Sequence, residues 1–256
     1  MKKMIKYQLK DLLLSYSVYA AAMVLLLAVL VSVSAMYDDI NMSINGNGFS
    51  SVIFCFVSGI AIYKEHCQLA IQNSISRKDF FRSSIYSLTA LSFLCALLDL
   101  LLRGAGQVTE SVSTVTTNFD LGNFILLFYP KFLEKSSDAT VMAAGFFLSF
   151  FVCMVFAMLG LLIAGIYCRI PKKYRTLYCV LVPVIFFGVT PAFTVMVVFS
   201  PEATLHIVEF LLNIFASLDI MGTASGNPFR AMFTFGAVSL ILGYICYRIL
   251  RKTEMV

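Results

Sequence analysis

The chain is poor in charge, in histidine and in the short motifs that carry catalysis. Only 13% of its 256 residues are charged and only two are histidine. There is no G-x-x-x-x-G-K-[ST] phosphate-binding loop, so ATP is not bound and hydrolysed here by the usual machinery. H-E-x-x-H, G-x-S-x-G and paired aspartates within apolar stretches are also missing, which leaves a membrane-embedded enzyme without a catalytic constellation. The seven cysteines include no C-x-x-C and nearly all sit in or beside apolar runs. They are expected to pack as small apolar side chains rather than to form a disulfide framework. His206 and Glu209, three apart, make only two metal ligands, so a polar helix face is the expectation and no metal or directly bound cofactor is expected. Basic residues are not gathered on one folded face, which argues against nucleic acid as a partner.

What is present is long apolar sequence. Hydrophobic residues make up 60% of the chain and the mean hydropathy is +0.88, outside the soluble range. A spanning helix needs about 20 mostly apolar residues. The windows are Tyr16–Met36, Phe49–Tyr63, Ser83–Leu98, Ala139–Cys168, Thr176–Ser200 and Ala231–Tyr247. The first is too long for the apolar core of a signal peptide and lacks a good cleavage site, so no cleavable signal is expected.

The basic residues set the topology. Of 19 Lys and Arg, 15 fall in four segments: Lys2, Lys3, Lys6, Lys10; Lys64, Arg77, Lys78, Arg82; Arg169, Lys172, Lys173, Arg175; and Arg248, Arg251, Lys252. Translocating such charge is unfavourable, so these segments mark the cytoplasmic side. The expected fold is an all-α integral membrane protein with six transmembrane helices, one permease-like domain and both termini inside. Tyrosines support the register, with Tyr16, Tyr19, Tyr63, Tyr86, Tyr167, Tyr178, Tyr244 and Tyr247 at expected inner ends. The net charge of +5 meets anionic lipid on that side.

Outside the spans, residues 1–14 are expected to form an interfacial helix with Lys2, Lys6 and Lys10 on one face and Ile5, Leu9, Leu12 and Leu13 on the other. The same lysines serve as a topology anchor. Residues 65–82 form the most structured polar segment. Glu65 to Asn73 is expected to be a short helix with Leu69 and Ile71 apolar and Gln72 and Asn73 polar. Ser76 and Asp79 have capping-box spacing, so a new helix starts at Arg77, followed by Lys78. Two segments, 103–138 and 201–228, are expected outside the cell. The first is Ser/Thr-rich and irregular from Gly104 to Asp120. In the second, Glu202, His206, Glu209 and Asn213 draw a polar stripe along an apolar helix, facing water, a partner subunit or a substrate path, of which water is the commonest. Pro183 and Pro191 permit kinks in the fifth span. Ala157, Gly160 and Ala164 place small residues at close-packing spacing in the fourth. Ionisable residues within spans are scarce, with Asp99 near the outer end of the third, which argues against an ion-coupled transporter.

This layout resembles the membrane subunit of a type-2 ABC exporter, with an interfacial helix, six spans, a coupling helix between spans two and three, and re-entrant helices between spans five and six. The loop text LAIQNSISRKDFF (residues 69–81) looks like the QNGISR-type loop of Gram-positive bacterial permeases in that family, with Ser74 in place of Gly. The resemblance implies a bacterial plasma-membrane exporter subunit paired with a second permease copy or paralogue. A separate ABC ATPase would bind ATP and Mg and dock on Leu69, Ile71, Gln72, Asn73, Ser76, Arg77 and Lys78. Size and outer segments look similar to exporters of phenol-soluble modulins, implying amphipathic peptide cargo. A non-transporting membrane sensor or immunity protein needs no motif and is the alternative.

Overall fold

The computed structural model describes residues 2–36, 47–112, 129, 132, 136–171, 173–175, 177–178 and 226–252. Every regular element of helical length among them is an α-helix: α1 Lys2–Met36, α2 Asn47–Gln72, α3 Arg77–Val112, α4 Asp138–Arg169 and α5 Pro228–Lys252. Among the described residues four stretches are long and apolar enough to cross a membrane, namely Met4–Val29, Arg77–Ala105, Ala139–Arg169 and Pro228–Ile249, and α2 carries a shorter one, Ser50–Tyr63. The described residues are thus all-helical and compatible with a multi-pass membrane protein. The expected fifth span, with Pro183 and Pro191, lies outside the described residues apart from Leu177 and Tyr178, as does the stripe Glu202, His206, Glu209 and Asn213.

Side-chain contacts align the helix ends. Gln8 of α1 meets Ser84 of α3, Asp11 of α1 meets His66 of α2, and Phe81 of α3 meets Tyr247 of α5. The Gly165 position of α4 looks onto Tyr63 and Ile249. The N-termini of α1 and α3 and the C-termini of α2, α4 and α5 therefore share one end. That end carries Lys6, Lys10, Arg77, Lys78, Arg82, Arg169, Lys173, Arg175 and Arg248 and is called the basic end below. The charge rhythm of the sequence and the packing of the helices agree on it. At the opposite end a second apolar cluster joins Tyr129, Val141, Ala144 and Leu148 to Ala231 and Met232. Consequently α4 and α5 run parallel, and the connection between them begins and finishes at opposite ends of the bundle.

Among the described helices the most extensive interface is between α2 and α4. Its cause is a pair of glycines. A Cβ on Gly160 would overlap the carbonyl oxygen of Phe56, and one on Gly59 would overlap that of Ala157. Backbone meets backbone, as small residues at helix interfaces permit. Ala157 and Ala164 are buried beside it, so the spacing in the fourth span is a packing device.

Three expectations are corrected. The N-terminal segment is not a separate interfacial helix, because α1 is continuous from Lys2 to Met36. At about 1.5 Å per residue it is roughly 52 Å long, well beyond a hydrocarbon core of about 30 Å. Met4, Gln8 and Leu12, spaced by four, are buried, and this stripe packs the segment onto the bundle. Lys6 and Lys10 stay exposed. Glu65–Asn73 is likewise no separate coupling helix, since α2 runs unbroken to Gln72. No glycine or proline interrupts the run that follows Gly59, so nothing stops the helix at the end of its apolar stretch. Finally, α3 extends to Val112, which makes 104–112 helical rather than irregular.

Tyr16 and Tyr19 also move. Both rings lie along the bundle rather than at its basic end. The Tyr16 hydroxyl donates to the Leu94 carbonyl at 2.9 Å, and Tyr19 reaches Ser50 and Ser51 of α2.

Candidate functional site

The residues expected to meet a partner converge at the basic end, where α2 turns into α3. The α2 helix stops at a left-handed residue, Ser74, with φ of 51°. The Ile75 amide donates to the Ala70 carbonyl at 2.9 Å and the Asn73 amide to that of Leu69 at 3.1 Å. The six-to-one bond around a left-handed residue is a Schellman stop, and Ala70 and Ile75 occupy its paired apolar positions. The Asn73 side-chain amide adds a bond to the Leu69 carbonyl at 2.7 Å. Two residues later α3 begins. The Asp79 amide donates to Ser76 Oγ at 3.2 Å and Ser76 Oγ donates to the Asp79 carboxylate at 2.9 Å. This is the capping arrangement expected from sequence, and the Asp79 charge also suits the positive end of the helix dipole.

The tip so formed is short, doubly capped and polar. Gln72, Asn73, Ser74, Ser76, Arg77 and Lys78 are exposed, whereas Leu69 is half-buried. Sequence reasoning gave Leu69 to an exposed docking face; the structure gives half of it to the bundle. The backbone of Ile71 lies in the last turn of α2.

Around the tip, α1 is held by polar contacts that sequence reasoning missed. Gln8 is fully buried; its amide donates to Ser84 Oγ at 3.3 Å and its carbonyl accepts from Ser87 Oγ at 3.4 Å. His66, 2% exposed, faces Asp11 with Nε2 3.3 Å from the carboxylate, and the Tyr7 ring meets it edge-on at 5.4 Å. His66 Nδ1 is buried without a hydrogen-bond partner. Assigning the ring proton to Nε2 leaves Nδ1 a bare acceptor, the cheaper group to bury. The four-residue spacing of Met4, Gln8 and Leu12 was the available signal for this face. Nothing local marked Asp11 and His66 as partners.

The same end is closed by the chain leaving α4. Arg175 folds back, with Nε donating to the Ile170 carbonyl at 3.0 Å and Nη2 to that of Cys168 at 3.5 Å, while its guanidinium lies 5.6 Å from the Tyr167 ring centroid. A cation over the last carbonyls of a helix satisfies orphan acceptors and opposes the dipole. The Tyr178 hydroxyl then donates to the Ile163 carbonyl at 3.2 Å, so by Tyr178 the chain has reversed and lies beside α4. Burial pushes the Cys67 thiol up to about 11, Cys168 pushes the same way, and Tyr63 and Arg77 act against them. Such a thiol is a packing group at neutral pH.

Among the described residues no group of three or more His, Cys, Asp or Glu is arranged to hold a metal ion. No family model, curated protein or solved structure matches this chain. Function therefore has to be argued from the layout and from this end of the bundle.

Proposed function

We propose that this chain is the transmembrane subunit of an ATP-driven exporter of the type-2 ABC kind, with amphipathic peptides as cargo and a separate ATPase as its motor. The observation that carries the reading is the α2–α3 tip. It bears the loop text on which the resemblance rests, and it is built as a rigid, doubly capped turn at the basic end. The correction to α2 supports a transmission role. Because the helix is unbroken from Gln72 to Asn47, a push on the tip travels along one rod of about 39 Å. It arrives directly at the backbone contact of Gly59 with α4. A separate coupling helix would need a joint, and α2 has none. The connection from α4 to α5 starts at the basic end and returns at the opposite one, which is where a fifth span belongs in the six-span scheme.

The proposal is tested by asking whether an adjacent gene encodes an ABC ATPase and by co-expressing the full chain with that ATPase. The native pair should co-purify, and ATP turnover should change when short amphipathic peptides are added. A Leu69→Asp, Ile71→Asp variant should insert in the membrane yet lose the ATPase or uncouple its turnover. Charge reversal at Lys172 and Lys173 should do less, since single exposed pairs contribute about 0–1 kcal/mol. Failure of any ATPase to co-purify with the native chain would favour a sensor or immunity protein.

A further inference from the structure

A carboxyl group inside an apolar helix needs a physical reason, because ionisable side chains in hydrocarbon are costly. Asp99 lies within the span Arg77–Ala105 and is only 3% exposed. Ser51 of α2, fully buried, donates to Asp99 Oδ1 at 2.7 Å. Ser51 Oγ is also 3.0 Å from the Tyr19 hydroxyl of α1. That hydroxyl is in turn 2.9 Å from Ser50 Oγ. Ser50 and Tyr19 are partly buried, and Ser51 and Asp99 are closed off. A line of hydroxyls thus leads from the side of the bundle to the buried carboxyl.

Counting protons gives this line a direction. Each hydroxyl has one proton to donate. That of Ser51 is committed to Asp99, so the bond between Tyr19 and Ser51 uses the proton of Tyr19. The bond between Ser50 and Tyr19 must then use that of Ser50, for which Met23 Sδ at 3.8 Å is a weaker alternative acceptor. The order is Ser50 to Tyr19 to Ser51 to Asp99.

We infer that Asp99 is a proton-binding site loaded through the hydroxyls of Ser51, Tyr19 and Ser50, a role independent of the transport reading. A hydronium ion gives a proton to Ser50 Oγ and leaves as water, and the proton of Ser50 passes to the Tyr19 oxygen. That of Tyr19 passes to Ser51, and that of Ser51 to Asp99 Oδ1. Each hydroxyl ends with one proton, the carboxylate becomes a carboxylic acid, and one positive charge has entered. The hydroxyls then rotate to restore the original direction. Among the described residues, groups that face this site include Tyr16 and Tyr19 on α1 and Cys95 one turn before Asp99 on α3. Cys55 of α2 and Cys153 of α4 lie against one another beside Cys95, and Arg103 is one turn beyond Asp99. A purely structural role, three helices joined by polar side chains, is the competing account. Tyr19 separates the two. Its ring stacks on Phe54 at 4.5 Å between centroids, so Tyr19→Phe retains the packing and removes only the relay.

The test is infrared difference spectroscopy of the full chain in lipid nanodiscs after a rapid drop in pH. The native protein should develop the carbonyl stretch of a protonated, buried carboxyl. Isotope-labelled aspartate should shift that band, Asp99→Asn should abolish it, and Asp99→Glu should retain it at a displaced frequency. Tyr19→Phe should reach the same amplitude at least about tenfold more slowly, in line with the loss of a positioned proton-transfer group. Absence of a label-sensitive band in the native protein, or loading of Tyr19→Phe at the native rate, would overturn the inference.

Discussion

Replacing Gly160 by alanine adds one methyl group where α2 and α4 meet backbone to backbone. The new Cβ would overlap the carbonyl oxygen of Phe56 and lie 3.1 Å from its carbonyl carbon and 3.2 Å from the Ile60 nitrogen. These are backbone atoms of a packed helix, so no side-chain rotation relieves the contact and α2 and α4 must part by about 1 Å. A gap of that size forfeits a quarter to a half of each van der Waals well across the interface, and overpacking in well-packed cores costs about 1–3 kcal/mol. The better helix propensity of alanine returns up to about 1 kcal/mol. The expected net loss is therefore about 1–2 kcal/mol, or roughly 2–8 °C in thermal midpoint for a chain of this size. Cys55, Cys95 and Cys153 are fully buried, so a thiol-reactive fluorogenic dye reports unfolding of this very interface on heating. Gly243→Ala is the control, because nothing lies within 4 Å of a Cβ there; it should hold or raise the midpoint. A Gly160→Ala protein that melts at or above the native temperature would refute the close-contact argument.

Two further outcomes follow from the basic end. Ser74 holds a left-handed backbone at φ 51°, which costs an L-residue about 1–2 kcal/mol; Ser74→Gly should raise the midpoint in the same dye assay and Ser74→Val should lower it. Arg175→Ala removes the donors to the Ile170 and Cys168 carbonyls and should cost about 1–2 kcal/mol, with Arg175→Lys recovering part of it; no change in midpoint would show that water caps α4 equally well.

The two continuous helices bear on how the bundle can move. A joint between an in-plane helix and a span would let the basic end shift without disturbing the spans. Here α1 and α2 pass the basic end without a break, and Gln8 and His66 tie α1 to α3 and α2 there. Displacement of the tip must then tilt or slide whole helices, and at the glycine contact with α4 backbone meets backbone.

Chain-local physics was enough for the class of this protein. Apolar runs too long for a soluble domain and four clusters of Lys and Arg specify helices that share a basic end, because each signal depends only on residue type and spacing. The start of α3 was legible for the same reason, since Ser76 and Asp79 bond within one turn. The small-residue run at Ala157, Gly160 and Ala164 announced a close contact without naming its partner. Tertiary structure decided what those signals leave open. Helix length depends on whether something stops the helix, and packing of Met4, Gln8 and Leu12 carries α1 straight through a segment that amphipathicity alone would lay in the membrane plane. Partners distant in sequence, such as Asp11 with His66 or Tyr19 with Ser51 and Asp99, arise only when three helices stand side by side. No single helix carries that information, because a buried polar group is satisfied by whichever neighbour the fold brings to it.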